Sequence, residues 1–178
     1  MPSGFVEWQA GHNDETSYAF SIAPTTHWNL VDLIAVVDRA HKQVGSSAGH
    51  KLAATSPIQG NRISDCPRRL RICRQAILEK DFASFAEIVE QDSNLLHAVM
   101  MTSSPSLLYW EPATIQLMKN VTRWRAEGLQ VCYTIDAGPN VHLICTEKDA
   151  HTVEDNLHSM TGISTVIRST AGDGVQVG

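Results

Sequence analysis

The stretch that decides the fold is QVCYTIDAGPNVHLIC, residues 130–145. Two apolar, β-rich runs flank the loop 137–140, whose Gly, Pro and Asn are residues that favour tight connections between strands. The stretch therefore predicts a β-hairpin. One carboxylate, Asp136, stands where the first run ends. A residue of this type at the mouth of a hairpin is either a turn former or a base, and the local pattern leaves both interpretations open.

The composition is that of a soluble globular protein. The chain has 178 residues, 43% of them hydrophobic and 19% charged, which is enough for one sizeable domain or for a domain with part of another. No apolar run reaches the roughly 20 residues of a membrane span, and the start of the chain lacks the pattern of a secretory signal. We therefore expect a cytoplasmic protein with no membrane partner. A net charge of −5 argues against a nucleic-acid partner, because such binding depends on neutralising phosphates.

Elements on either side of the hairpin predict the rest of the fold. Runs rich in Val, Ile and aromatic residues indicate strands, and apolar residues at three-to-four spacing indicate helices. Asp81 is the expected N-cap of one helix, and Gly128 follows the end of another. In chain order we expect strands at 5–8, 17–22 and 30–37, a loop at 45–49, a short helix before residue 57, helices from 67, from 81 and over 112–127, the hairpin, a helix over 148–160 and a strand over 164–170. This order predicts an α+β fold, in which a mainly antiparallel sheet has helices packed on one face.

The cysteines and histidines show no metal or redox motif. The four cysteines, at positions 66, 73, 132 and 145, include no C-x-x-C pair. If the hairpin loop is 137–140, Cys132 and Cys145 lie opposite each other; reduced, buried thiols are favoured there over a disulfide. His27, His97 and His142 are interpreted as packing or hydrogen-bonding residues. We predict no metal-binding residues.

Two polar groups remain. Arg68, Arg71 and Arg74 lie near one predicted helix face, and a solvated face is favoured over an anion site. Ser46 and Ser47 stand between glycines in VGSSAG, where two hydroxyls are typical of a turn and are also able to contact a ligand. No phosphate-binding pattern of the G-x-x-x-x-G-K-[ST] or G-x-G-x-x-G type follows a strand.

Several segments, taken in order, resemble one family. The chain is similar to the C-terminal part of the diphosphomevalonate decarboxylases, which belong to the GHMP kinase superfamily. The resemblance covers nearly the whole chain, and DAGPN after YT is its most specific motif. It rests on SGFVEWQAG, DETSYAFSIAP, HWNLVDLIAVV, HKQVGSSAGHKLAATSP, DFASFAEIVEQDSNLLHA, LLYWEPATIQLM and YTIDAGPNVHLI.

The resemblance implies a reaction and roles for three residues. The family uses ATP and Mg²⁺ to convert mevalonate 5-diphosphate into isopentenyl diphosphate, carbon dioxide, ADP and phosphate in isoprenoid biosynthesis. Asp136 takes the place of the family's catalytic aspartate beside the substrate's 3-hydroxyl, and Ser46 and Ser47 take the places of residues that contact substrate. A carboxylate in reach of that tertiary hydroxyl acts as a general base, typically worth about 10²–10⁴ in rate. For Asp136, the resemblance favours a base over a turn former.

The resemblance also implies that part of the family's machinery lies outside this chain. The ATP-binding loop, a lysine and a serine-rich segment with an arginine all precede the family's GFVEW-like stretch, so the residues that bind ATP are unknown here. We expect residues 1–28 to be a remnant of the N-terminal, ATP-binding domain and residues 29–178 to be the C-terminal domain. The chain alone is expected to be inactive. Its expected partner is a second copy in a homodimer or an N-terminal half. Two alternatives stay open: a decarboxylase of mevalonate 5-phosphate, or a non-catalytic, partner-binding fragment.

Overall fold

A computed structural model describes residues 2–37 and 46–175, with side chains in the second range described from Gly49 onward. Six strands and five helices lie in these ranges: β1 Phe5–Gln9, β2 Tyr18–Ala23, β3 Leu30–Val36, α1 Ser46–Ala53, α2 Gln59–Glu79, α3 Phe82–Met101, α4 Pro112–Ala126, β4 Val131–Thr134, β5 Val141–Thr146, α5 Glu147–His158 and β6 Thr165–Thr170. Strands β4, β5, β3 and β6 form one sheet in that order, and each neighbouring pair is antiparallel. The predicted α+β class with an antiparallel sheet is confirmed.

The hairpin β4–β5 forms as predicted, but its pairing is shifted by one residue. Cys132 lies opposite Ile144, and Cys145 lies opposite Val131. Adjacent residues of a strand point to opposite faces, so this shift places the two thiols on different sides of the sheet. The expectation that the two cysteines face each other is therefore wrong, whereas the expectation of free, buried thiols is confirmed.

The main core lies on one face of the sheet. Alternate residues of β3, namely Val31, Leu33 and Ala35, are fully buried there. Helices α4 and α5 cover this face with apolar stripes; the stripe of α4 contains Leu117, Val121 and Trp124, and that of α5 contains Ala150, Val153 and Leu157. Burial of a side chain of this size contributes about 1.5–3 kcal/mol, and this layer is the largest of the apolar clusters in the described residues.

A second apolar cluster joins α2 and α3 to the β4 side of the sheet. Trp28 packs edge-on against Phe82 and Phe85, and Cys132 closes the cluster from β4. Asp81 caps α3 as predicted, since its side chain accepts hydrogen bonds from the amides of residues 83 and 84. The start of α3 is thus set by residues next to it in the sequence.

Helix α2 begins eight residues before the predicted start at Pro67, which lies inside the helix. A proline in a helix interior removes one backbone hydrogen bond and must be offset by other contacts. Here Arg62 and Arg69, on either side of the proline, both bind Asp92 of α3, at 3.2 and 2.8 Å. Arg69 is only 3% exposed and also binds Asp65 at 2.9 Å. These contacts hold the N-terminal half of α2 against α3.

The first two strands form a separate two-stranded sheet. Arg74 of α2 holds this ribbon, because its guanidinium lies 3.6 Å from Glu7 and 5.9 Å from the centre of the Phe20 ring. The opposite face carries exposed apolar side chains, with Trp8 62% exposed. Among the helices in the described part of the chain, none has both the length and the apolar character needed to cross a bilayer.

Candidate functional site

Asp136 lies two residues after the end of β4, where the chain leaves the sheet. The preceding side chain, Ile135, is buried in the main core, whereas Asp136 is exposed. The Asp136 carbonyl accepts a hydrogen bond of 2.9 Å from the Gly138 amide. The residue therefore stands at the transition from a fixed strand to a tight loop.

The peptide of Ile135 is held from α3. Ser93 Oγ accepts a hydrogen bond of 2.9 Å from the Ile135 amide and donates one of 3.3 Å to its carbonyl. His97 Nε2 binds the same carbonyl at 3.0 Å. Both side chains are buried, with exposures of 3% for Ser93 and 2% for His97. The interpretation of His97 as a hydrogen-bonding residue is confirmed, and so are those of His27, which binds the carbonyl of residue 77, and His142, which binds Asp32.

The exposed carboxylate borders a cavity of about 230 Å³. The cavity is lined by Gly49, His50, Leu96, Met100, Tyr109, Asp136 and Ala137. No lysine or arginine is among these lining residues. Mainly apolar walls with one carboxylate are typical of a pocket that binds a small organic molecule.

Tyr109, which lines this cavity, belongs to a group of packed aromatic rings. The His97 ring lies tilted against Trp110, with 4.9 Å between ring centres, and meets Tyr109 edge-on at 6.1 Å. Burial lowers the pKa of His97, although its bond to the Ile135 carbonyl and the negative charge of Asp136 act in the opposite direction. Burial raises the pKa of Tyr109, whose hydroxyl is enclosed and has no hydrogen-bond partner among the described residues. Both groups are thus neutral near pH 7.

The serine pair lies in a helix rather than in the predicted loop. Ser46 and Ser47 begin α1, so the expectation of a loop across these positions is wrong, while their side chains lie outside the described residues. The same helix carries Gly49 and His50, which line the cavity together with Asp136. Gly49 permits this approach, because a Cβ there would lie 2.7 Å from Tyr109 Oη.

Arg71 of the predicted arginine group is exposed, and the other two arginines have partners within the protein. Arg68 binds Asp65 at 2.6 Å and holds the pKa of that carboxyl down at about 2. Arg74 binds Glu7. Neither arginine therefore supplies a free anion site. Within residues 2–37 and 49–175, no three His, Cys, Asp or Glu side chains are arranged to hold a metal ion.

A larger open groove, of about 750 Å³, lies along the other side of α3. Its charged groups already bind each other, because Arg125 makes contacts of 2.6 and 2.8 Å with the two carboxylate oxygens of Glu90. A satisfied ion pair in an open groove offers less to a ligand than the free carboxylate of Asp136. The smaller cavity is therefore the candidate site.

Comparison with known proteins links this arrangement to one family. A family model described as the mevalonate 5-diphosphate decarboxylase C-terminal domain matches residues 32–176. The diphosphomevalonate decarboxylase mvd1 of Aspergillus fumigatus is 36% identical over 174 residues, which cover 93% of this chain and 43% of that relative. The human diphosphomevalonate decarboxylase is 38% identical over 144 residues, covering 77% of this chain and 36% of that relative.

Solved structures show the same similarity. The mevalonate diphosphate decarboxylase of Staphylococcus aureus superimposes with a TM-score of 0.89 at 28% identity, over 97% of this chain and 53% of that one. A structure described as MDDEF in complex with MVAPP, AMPPCP and magnesium gives a TM-score of 0.86 at 30% identity, over 95% of this chain and 52% of that one. The chain spans about half the length of the proteins it matches, or less.

Proposed function

The chain belongs to the mevalonate 5-diphosphate decarboxylase C-terminal domain family, and we propose that it provides the catalytic aspartate of an ATP-dependent diphosphomevalonate decarboxylase. The observation that carries the proposal is the exposed carboxylate of Asp136, on a tethered peptide, at the wall of a mainly apolar cavity. The relatives that cover most of the chain are named for the diphosphate substrate, so we propose mevalonate 5-diphosphate rather than the 5-phosphate.

The proposed role of Asp136 is to accept the proton of the substrate's tertiary 3-hydroxyl. A carboxylate within hydrogen-bond reach orients that oxygen and removes its proton as the oxygen attacks phosphorus, a contribution of about 10²–10⁴ in rate. ATP with Mg²⁺, when bound, supplies the phosphoryl group that makes the oxygen able to leave. Loss of that oxygen as phosphate and of the C1 carboxylate as carbon dioxide then forms the double bond. Ser46 and Ser47 are proposed to contact the substrate from the start of α1.

ATP and Mg²⁺ do not fit the described lining of the cavity. Polyphosphates need cationic groups and backbone amides around them, and the lining residues described above include neither lysine nor arginine. We therefore propose that the groups that bind ATP lie on another polypeptide segment. The ribbon of β1 and β2, within residues 1–28, is the proposed edge of that ATP-binding domain, and residues 29–178 are the proposed substrate domain.

The exposed face of the ribbon supports a partner at this edge. Val6 and Trp8 are 41% and 62% exposed, and they point away from Arg74. Exposed apolar side chains on a two-stranded sheet favour association with another chain or segment. We propose an N-terminal half or a second copy of the chain as that partner. The cytoplasmic location stays a prediction.

A fusion tests the proposal. The chain is joined to the portion of the A. fumigatus relative that precedes its match to this chain, and the fusion and the chain alone are each incubated with ATP, Mg²⁺ and mevalonate 5-diphosphate labelled at C1. We expect the fusion to release labelled carbon dioxide and unlabelled phosphate, and we expect neither product from the chain alone. Asp136→Asn is expected to lower the rate of the fusion by about 10²–10⁴.

The matched control is Asp155→Asn, which removes a carboxylate that is 66% exposed on α5. This variant is expected to keep the rate of the unsubstituted fusion. Formation of ADP and of phosphorylated substrate without carbon dioxide would replace the proposal by a kinase. An Asp136→Asn fusion that is as active as its parent would remove Asp136 from the catalytic role.

A further inference from the structure

Helix α3 lies along the free edge of β4 and takes the place of a further strand. In an antiparallel pair only alternate residues exchange backbone hydrogen bonds with the neighbouring strand, and the backbone groups of residues 131, 133 and 135 point away from β5. The Val131 carbonyl accepts a hydrogen bond of 2.9 Å from Arg125, and the Tyr133 amide donates one of 3.3 Å to Glu90. Side chains thus satisfy an edge that would otherwise expose unpaired amides and carbonyls.

The last contacts of this edge fall on the residue before Asp136. Strand β4 ends at Thr134, so the ladder with β5 does not hold Ile135. Ser93 binds both its amide and its carbonyl, and His97 binds the carbonyl again. Ser93 and His97 are four residues apart, hence on one face of α3, and both are almost fully buried.

We propose that Ser93 and His97 are positioning residues for Asp136, holding the Ile135 peptide so that the carboxylate keeps one direction in the cavity. The inference rests on the proposed function for its catalytic consequence, but its structural content concerns this chain alone. A hairpin end without such contacts would let the loop pivot. Misplacement of a reacting group by about 1 Å costs as much as 10²-fold in rate.

The hydrogen bond fixes the form of His97. A carbonyl oxygen only accepts hydrogen bonds, so His97 Nε2 carries the hydrogen. In a neutral ring, Nδ1 is then unprotonated. Gln at position 97 offers an amide N–H on a side chain of similar reach, whereas Leu fills a similar volume without a donor. The pair His97→Gln and His97→Leu therefore separates the hydrogen bond from packing. Ser93→Ala removes both contacts of the hydroxyl.

Backbone mobility measured on the chain alone gives the direct test. The ¹⁵N relaxation order parameter of the Asp136 amide is expected to be about 0.85 in the parent chain, as for rigid backbone, and below about 0.6 in His97→Leu and Ser93→Ala. His97→Gln is expected to restore the rigid value. Val99→Ala, a buried truncation on the same helix, is the control: it lowers stability and leaves the Asp136 order parameter unchanged.

Turnover of the fusion gives the catalytic readout. We expect His97→Leu to lower kcat about 10- to 100-fold with KM within about twofold, and His97→Gln to recover kcat to within about threefold. Unchanged order parameters in His97→Leu and Ser93→Ala, or lowered ones with an undiminished kcat, would overturn the positioning role. A parent fusion that releases no carbon dioxide refutes the proposed function instead, and the order parameters still decide whether the two residues hold Asp136.

Discussion

Replacing Gly49 by alanine probes how closely α1 approaches the wall of the cavity. A Cβ at this position would lie 2.7 Å from Tyr109 Oη, 3.6 Å from the Met100 sulfur and 3.9 Å from Tyr109 Cζ. A carbon–oxygen contact of 2.7 Å forces either the helix or the phenol ring to move, whereas the other two distances are ordinary van der Waals contacts. The hydroxyl of Tyr109 is therefore the atom that limits the space at Gly49.

Two opposing effects set the size of the change. Alanine in a helix interior is more stable than glycine by about 0.5–1 kcal/mol, and overpacking of a close contact costs about 1–3 kcal/mol. Gly49→Ala is thus expected to lower the free energy of unfolding by about 1 kcal/mol. In a Tyr109→Phe background the limiting atom is gone, so the same substitution should raise it by roughly 0.5–1 kcal/mol.

A double-mutant cycle measures the interaction between Gly49 and Tyr109. The parent, the two single variants and the double variant are unfolded in urea, and circular dichroism monitors the unfolding. The expected coupling free energy between the two positions is about 1–3 kcal/mol. Tyr109→Phe alone should be neutral or stabilising, because the lost hydroxyl has no hydrogen-bond partner in the part of the chain that the structure describes. Gly60→Ala is the control, since a Cβ there meets nothing within 4 Å and should show no coupling to residue 109. An equal effect of Gly49→Ala in both backgrounds would refute the reasoning.

Two further predictions concern charged contacts. Arg69→Met removes a buried guanidinium that binds Asp92, and it should lower the free energy of unfolding by about 3 kcal/mol in urea titrations. Arg69→Lys should lower it by roughly half as much. A loss below about 0.5 kcal/mol for Arg69→Met would contradict the role of this contact in joining α2 to α3. The hydrogen bond to Asp32, and then its charge, raises the pKa of His142. The pair therefore stabilises most below the unfolded pKa of about 6.5 and loses its effect as pH rises through the raised folded value. Asp32→Asn should accordingly cost more stability at pH 5.5 than at pH 8.5, and an equal cost at both pH values would refute this assignment.

Local signals predict much of the fold. Asp81 caps α3 because an aspartate before an apolar stripe satisfies free helical amides with no help from distant residues. Gly128 follows α4 with a φ of 105°, a conformation that glycine adopts without strain. The positions of the strands along the chain likewise follow from the alternation of apolar residues. Each of these features depends on neighbours only a few positions away.

The errors arise where distant contacts decide. Pro67 reads as a helix start, yet α2 extends across it because Arg62 and Arg69 both reach Asp92 on another helix. The hairpin is predicted with a loop of 137–140, but Ser93 takes Ile135 out of the ladder, so β4 ends early. No local pattern shows that the partner of a serine is a peptide about 40 residues later.

The candidate site divides in the same way. Asp136 is predicted from its motif and from its place at a hairpin end, where the proposed chemistry needs a carboxylate. The neighbouring rings of His97, Tyr109 and Trp110 converge only once α3 and the segment after it are packed. The i, i+4 spacing of Ser93 and His97 is the signal in the sequence that points to the support of Asp136.

The position of β3 in the sheet has a consequence during synthesis on the ribosome. This strand lies between β5 and β6, yet it is synthesised before both of them. Ala35 pairs with Val141, which is added to the chain roughly 100 residues later. At about 5–20 residues per second, its apolar residues stay without their sheet partners for roughly 5–20 s. During that interval Val31 and Leu33, which are fully buried in the folded protein, are able to contact other exposed apolar surfaces. Chaperones that bind short apolar segments therefore have their longest opportunity at this strand, and fast translation of residues 37–141 shortens it.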